Sequence, residues 1–348
     1  MKALVYGGPG VENWVDVEDA KLKTSKDAIV EVTATTICGT DLHILKGDVP
    51  DTPEGCILGH EAVGIVKEIG DDVHDFKVGD RVLVSCITSC GDCTFCKAKM
   101  PSHCQAGGGW ILGHLINGTQ AELIDVPHAD HSLHKIPDGV SDEDALMLSD
   151  ILPTGYEIGV DYGQIKEGDV VAVVGAGPIG LAAIATMQAR KPSKIIVINR
   201  SEYRMNNALE MGATHGFTTD DPDLEAKVKA LTPDGLGVDV AIEAVGVPSS
   251  WETCVDIVRP GGHIAVVGVH GAPVNFPLEK LWDKNITITT GLVNATSVPE
   301  LLNQIAYEGL NPSKFITHRF KLDEIEDAYE VFGNANKNHA LKMLLTKG

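Results

Sequence analysis

The chain is expected to join a mostly β segment to an α/β segment built on a doubly wound parallel sheet. Three observations lead there. Up to about Leu152 the sequence runs in short apolar stretches broken by glycine, proline and aspartate, with few long helical patterns. From Lys166 onward, apolar strands alternate with helical segments, the pattern of a parallel sheet with helices on both faces. Between them, "VVAVVGAGPIG" places a glycine-rich turn between an apolar strand and a helix.

In the first part, "DAIVEVTATTI", "AVGIVKEIG", "DRVLVSCI" and "QAELIDV" alternate or run apolar in strand fashion. In the second, "DVVAVV", "KIIVINR", "VDVAIEAVG", "GGHIAVVGV" and "NITITTGLV" are strands, and "SEYRMNNALEMG" is a short helix closed by Gly212. Towards the end, "PELLNQIAYEGL" and "DEIEDAYEVFGN" are amphipathic helices, and "ALKMLLTK" is a closing strand. The expected divisions are 1–152, 153–295 and 296–348.

Composition narrows the function. Apolar residues make up 43% of 348 positions, enough for a substantial core. No apolar run reaches membrane-spanning length, so no membrane partner is expected. The opening "MKALVYGGPG" lacks the apolar core and cleavage site of a secretory signal, so the cytoplasm is the expected compartment. A net charge of −21 disfavours nucleic acid as a partner. Eight cysteines in such a chain argue for metal rather than a disulfide framework.

The glycine turn carries the first chemical signal. Gly175, Gly177 and Gly180 form G-x-G-x-x-G, with Pro178 and Ile179 opening the helix. Gly175 permits the tight turn, Gly177 the approach of a pyrophosphate, and Gly180 close packing of helix on strand. The helix N-terminus then offers free N–H groups to phosphate. Asn199 lies 24 positions after Gly175, where a ribose-binding acid is expected for NAD. An acid there repels a 2′-phosphate, and Asn199 removes that repulsion. Arg200 and Arg204 add guanidinium groups and Ser201 a hydroxyl, so the strand end suits NADP. The plainer alternative has Asn199 on the 2′-hydroxyl of NAD and both arginines at the surface.

Two metal sites are expected. "CGDCTFCKAKMPSHC" spaces Cys90, Cys93, Cys96 and Cys104 so that four thiolates close a tetrahedral, structural zinc shell. Four cysteines also suit an iron–sulfur cluster, and the spacing alone leaves that open. A second set is scattered. Cys38, Thr40, Asp41 and His43 lie in "TTICGTDLHILKG", His60 and Glu61 in "ILGHEAVGIVKEIG", and Asp150 and Thr154 in "MLSDILPTGYEIG". Singly, Cys38 reads as a buried thiol, His60 as a core histidine and Asp150 as a helix cap. Together they offer one S, one N and one O ligand, which leaves a fourth zinc position for chemistry.

The segments "GHEAVGIVKEIG", "VGDRV" and "VVGAGPIG", with the four-cysteine lobe, resemble the zinc-dependent medium-chain alcohol dehydrogenases over essentially the whole chain. The resemblance implies a GroES-like β domain carrying a catalytic zinc, a Rossmann cofactor domain, and a tail that returns to the first domain. It implies Cys38, His60 and Asp150 as catalytic zinc ligands, closest to the Cys-His-Asp secondary-alcohol dehydrogenases of bacteria and protozoa. Glu61 then approaches the zinc when substrate is absent. Thr40 hydrogen-bonds the substrate oxygen, His43 carries the proton onward, Thr154 packs near the nicotinamide, and Trp110 lines the substrate pocket. The family also implies a homo-oligomer, a tetramer or dimer, with "NITITTGLV" as an edge strand between subunits.

The expected activity is zinc-dependent hydride transfer between NADP(H) and short secondary alcohols or ketones. An NAD-dependent enzyme for primary alcohols or vicinal diols is the near alternative. A zinc-free quinone reductase has no need of Cys38, His60 and Asp150 together. A non-catalytic nucleotide-binding structural protein would be marked by lost zinc ligands, and none is lost.

Overall fold

A computed structural model describes residues 1–347. The chain forms two compact units, one of residues 1–153 and 294–348 and the other of residues 154–293. No helix among the described residues is long and apolar enough to cross a membrane.

The first unit is built on antiparallel pairing. Strands β1 (Lys2–Tyr6) and β2 (Glu12–Asp16) form a separate hairpin. The main sheet contains β3 (Ala28–Thr35), β4 (Ala62–Ile69), β5 (Arg81–Val84), β6 (Leu123–Val126) and β7 (Leu133–Lys135). Strand β3 is the hub, pairing with both β4 and β6. Its sequence AIVEVTAT is β-branched and almost wholly buried, as a central strand packed on both faces requires.

The second unit carries six strands: β8 (Val170–Val174), β9 (Lys194–Ile198), β10 (His215–Phe217), β11 (Val238–Glu243), β12 (Val258–Val266) and β13 (Thr287–Thr290). All pair in parallel, in the spatial order β10-β9-β8-β11-β12-β13. This is the doubly wound order, reversing direction beside β8. Every residue of β8 is buried, because helices cover both of its faces. Val170, Ala172, Val174, Ile196, Ile198, Ala241 and Ile264 share one core with Trp251 and Val255 of helix Pro248–Ile257.

The chain then returns to the first unit. Strands β14 (Ile316–Lys321) and β15 (Lys342–Thr346) pair in parallel, and β15 joins the main sheet antiparallel to β3. Helix Ile325–Gly333 buries Ile325, Ala328, Tyr329 and Phe332 beside Met343 and Leu345. The tail therefore completes the sheet that the first 153 residues begin.

Candidate active site

Three short segments of the first unit converge. Cys38 caps helix Gly39–Lys46, which carries Thr40, Asp41 and His43. His60 and Glu61 immediately precede β4, and Asp150 immediately precedes helix Ile151–Thr154. Ligand atoms of Cys38, His60, Glu61 and Asp150 all lie within 4.8 Å of one another. His60 and Glu61 are buried, whereas Cys38 and Asp150 are partly open.

The spacing matches a metal-centred tetrahedron. Cys38 Sγ lies 3.6 Å from Asp150 Oδ2, and His60 Nε2 lies 3.5 Å from the same oxygen. Bonds of about 2.3 Å to sulfur and about 2.0 Å to nitrogen or oxygen give tetrahedron edges of about 3.5 Å. On the far side of the ring, His60 Nδ1 faces Asp41 Oδ1 at 3.9 Å, and that buried oxygen has no hydrogen-bond partner. A histidine ligating through Nε2 keeps a proton on Nδ1 and points it at such an acceptor. The residues therefore fit zinc.

The electrostatics ask for a cation as well. Burial pushes the Cys38 thiol up, with His60 opposing. Burial works against charge on His60, but Asp150 and Cys38 outweigh it and lift its pKa well above the ordinary histidine range. Bound zinc would reverse both tendencies, holding thiolate and neutral imidazole.

Four supporting groups escaped the sequence reading. Lys342, in β15 and 1% exposed, donates to Glu61 at 2.7 and 3.0 Å and to the Ile37 carbonyl at 3.3 Å. Its signal was a lysine inside the otherwise apolar "ALKMLLTK". Cys86 Sγ donates to Asp150 Oδ1 at 3.7 Å, leaving Oδ2 for the ligand cluster. Tyr329 donates to Gln120 Oε1 at 2.8 Å, and Gln120 Nε2 donates to Asp41 Oδ2 and the Thr36 carbonyl. Asp41 Oδ2 also accepts the Cys38 N–H at 2.8 Å.

Thr40 Oγ1 stands 3.6 Å from Cys38 Sγ. His43, one turn along the same helix, is exposed and pairs through Nδ1 with Asp48 at 2.8 Å. Trp110 stacks on His114, with ring centroids 4.2 Å apart, and His114 Nε2 lies 2.9 Å from Asp51.

The four-cysteine lobe is separate. Sulfur atoms of Cys93 and Cys96 lie 3.5 Å apart, and those of Cys90 and Cys96 lie 3.9 Å apart. Tetrahedral Zn–S bonds of about 2.3 Å give S···S edges of about 3.8 Å. None of the eight cysteines is in a disulfide. Backbone N–H groups of Gln105 and Cys96 pull the Cys93 thiol down to about 6, whereas burial pushes Cys96 up to about 12. Four sulfurs at this spacing, with one already favoured as thiolate, fit a closed zinc shell.

In the second unit, Gly175 takes φ +106°, and a Cβ on Gly180 would sit 1.9 Å from the Gly175 carbonyl oxygen. Both positions therefore exclude a side chain. Gly177 precedes helix Pro178–Met187, and Ile179 lies in its first turn. Asn199 Oδ1 accepts the Ala176 N–H at 3.1 Å, and its Nδ2 donates to the Ser201 carbonyl. Ser201 caps helix Glu202–Glu210. Arg204 Nη1 is the nearest atom to a Cβ built on Gly177, at 3.9 Å. Burial pulls the Arg204 pKa below its ordinary value, and no described carboxylate pairs with it. Arg200 is exposed. Thr154 is the first residue of this unit.

Comparison with known proteins agrees with this arrangement. The family described as "Alcohol dehydrogenase GroES-like domain" matches residues 24–138, and "Zinc-binding dehydrogenase" matches residues 178–306. An alcohol dehydrogenase of Cupriavidus necator is 35% identical, over 96% of this chain and 95% of its own. The NADP-dependent isopropanol dehydrogenase of Thermoanaerobacter brockii is 34% identical, over 97% of each chain. The solved apo structure of zinc-dependent alcohol dehydrogenase 2 from Streptococcus pneumonia is 48% identical, covers 100% of this chain and 98% of its own, and superposes with a TM-score of 0.95. Both halves of the fold and their order along the chain are thus shared with these enzymes, and the chain belongs to the zinc-dependent medium-chain alcohol dehydrogenases.

Proposed function

We propose that the protein transfers hydride between NADP(H) and short secondary alcohols or ketones, with catalytic zinc on Cys38, His60 and Asp150. In this reading residues 1–152 and 296–348 form the catalytic part and residues 153–295 the cofactor part. Zinc bound there supplies a Lewis acid for the substrate oxygen, and the nicotinamide supplies or accepts the hydride.

The remaining steps belong to the chain. Thr40, its hydroxyl beside Cys38, accepts the proton lost by an alcohol and returns it when a ketone is reduced. His43, three residues along the same helix face and open to water, passes the proton to solvent, with Asp48 fixing its ring. Asp41 and Cys86 orient His60 and Asp150. Lys342 engages both Glu61 oxygens at the edge of the ligand cluster, and Glu61 is the residue that would approach a bound zinc when the substrate position is empty. Trp110, fixed by its stack on His114, lines the substrate pocket. The four-cysteine lobe holds a second, structural zinc.

Arg204 carries the NADP preference. It is a half-buried guanidinium beside the glycine turn with no carboxylate of its own, and a 2′-phosphate would supply the missing anion. Arg200 and the Ser201 hydroxyl lie at the same strand end. Asn199 is neutral and its side chain is engaged with the Ala176 N–H and the Ser201 carbonyl, so no acid at this strand end repels a 2′-phosphate. We assign the protein to the cytoplasm and to a homo-oligomer. The edge strand β13 and the exposed Phe276, Leu278 and Trp282 nearby support the second assignment.

The test is the reduction of 2-butanone with NADPH and NADH in parallel, for wild type and Arg204→Ala. Wild type should prefer NADPH, and the variant should lose NADPH affinity roughly 10- to 150-fold while binding NADH normally. Equal effects on the two cofactors would exclude Arg204 from the 2′-phosphate.

A further inference from the structure

Glu243, the last residue of β11, is wholly buried. A buried carboxylate is expensive unless its lone pairs are filled, and here four donors fill them. The Val245 and Gly246 amides lie at 2.9 Å and the Ser250 hydroxyl at 2.5 Å from Oε1. His270 Nε2 lies 3.1 Å from Oε2.

The donors come from two places. Val245, Gly246 and Ser250 belong to the segment leaving β11, whereas His270 belongs to the loop leaving β12. These segments touch closely. A Cβ on Gly268 would lie 2.4 Å from Glu243 Oε2, and one on Gly246 would lie 2.2 Å from the Val269 carbonyl oxygen. The first segment in turn closes on the glycine turn. Ala244 N donates to the Val174 carbonyl at 2.9 Å, and a Cβ on Gly175 would meet Val245 Cγ2 at 2.6 Å.

Three loops therefore stand in contact at the carboxyl ends of β8, β11 and β12, the end where open parallel sheets take their ligands. Val245, Val247 and Val269 are 49%, 40% and 78% exposed there, an apolar rim suited to a flat ring. The Val267 and Gly268 amides donate to the Glu243 carbonyl at 2.8 and 3.1 Å, and beyond them His270 is the one described side chain that ties the β12 loop to the buried carboxylate. Its other nitrogen, Nδ1, is buried and has no hydrogen-bond partner among the described residues, so the bond to Glu243 is the ring's only hydrogen bond.

We propose that His270 is a positioning residue for the nicotinamide cofactor: through Glu243 it holds the β12 loop against the β11 loop, so that both form one preformed rim with the glycine turn. The inference rests on the dinucleotide reading of that turn. It differs from the 2′-phosphate assignment, because the strand end that discriminates NADP from NAD belongs to β9.

The experiment titrates NADPH and NADH into wild type, His270→Ala and His270→Gln, following nicotinamide fluorescence without substrate, with thermal unfolding measured alongside. Freeing the loop means that binding must order it, so His270→Ala should weaken both cofactors about tenfold and by the same factor. Gln can still donate from Nε2 to Glu243, and His270→Gln should recover most of the affinity. An alanine variant that binds both cofactors within about twofold of wild type, or merely melts lower with unchanged affinity, would overturn the proposal. So would a loss confined to one cofactor. Wild type binding neither would instead overturn the reading of the glycine turn, and this inference with it.

Discussion

Replacing Lys342 with methionine removes the ammonium group paired with Glu61, the larger of two cationic influences on it beside His60, and keeps most of the volume. Both side chains are 1% exposed, and both Glu61 oxygens lie within 3.0 Å of the ammonium group. Burial pushes the Glu61 pKa up, and Lys342 is the main group holding it down. Without Lys342, an ionised Glu61 would be stranded at about 3–5 kcal/mol. Protonation offers a way out. Neutralising a carboxyl of ordinary pKa about 4.3 at pH 7 costs about 1.36 kcal/mol per unit, or about 3.7 kcal/mol. The loss should thus be about 3–4 kcal/mol at pH 7 and shrink by about 1.36 kcal/mol per unit as the pH falls towards 5. For a unit of roughly 200 residues that is a drop of about 6–16 °C in melting temperature. Calorimetry at pH 5.5, 6.5 and 7.5 reads it. The double variant Lys342→Met, Glu61→Leu should recover most of the loss, because no charge remains to strand. A single-variant loss below about 1 kcal/mol, or one independent of pH, would refute the argument.

Three further outcomes are expected. Cys86→Ala frees Asp150 Oδ1 and should lower zinc affinity at the Cys38 site about tenfold, read by chelator competition, while the four-cysteine lobe keeps its metal. Gly180→Ala forces the turn and helix apart and should destabilise the second unit by about 1–3 kcal/mol, with loss of NADPH binding in fluorescence titration. Burial depresses His134 to about 4, so the folded state binds fewer protons than the unfolded chain between pH 4 and about 6.5. Its contribution is complete above pH 6.5 and is lost as the pH falls to 4. Because the ring is only half-buried, the loss is about 1–2 kcal/mol. His134→Gln should flatten that part of the pH–stability curve measured by urea unfolding.

What was legible in the sequence was what is local. The strands β8 and β9 announce themselves as apolar runs because they are buried on both faces, and β11 and β12 carry shorter apolar cores, residues 240–242 and 264–266. The glycine turn does so because its spacing is set by a single bend. The cysteine lobe lies within fifteen residues, so its four sulfurs needed no tertiary information. The hairpin of β1 and β2 passed unnoticed because β2 is short and largely exposed. Cys86 and Gln120 gave no signal, since a thiol or an amide in an apolar setting looks like any core residue until its partner is known. The relative weight of Arg200 and Arg204 was hidden too. Helix Glu202–Glu210 turns Arg204 towards the glycines and leaves Arg200 at the surface.

The pairing of Glu61 with Lys342 also sets an order of events during synthesis. The two are 281 positions apart. At about 5–20 residues per second the ribosome needs about 14–56 s to deliver the second after the first. Throughout that interval the emerging chain holds all three proposed catalytic ligands, or is about to, with Glu61 uncompensated. The contiguous residues 154–293 are complete before it ends. The parallel-sheet unit can therefore mature first, and the unit with the proposed zinc sites is the late one. A nascent chain stalled between Asp150 and β15 would carry all three proposed ligands without the ammonium group that pairs with Glu61.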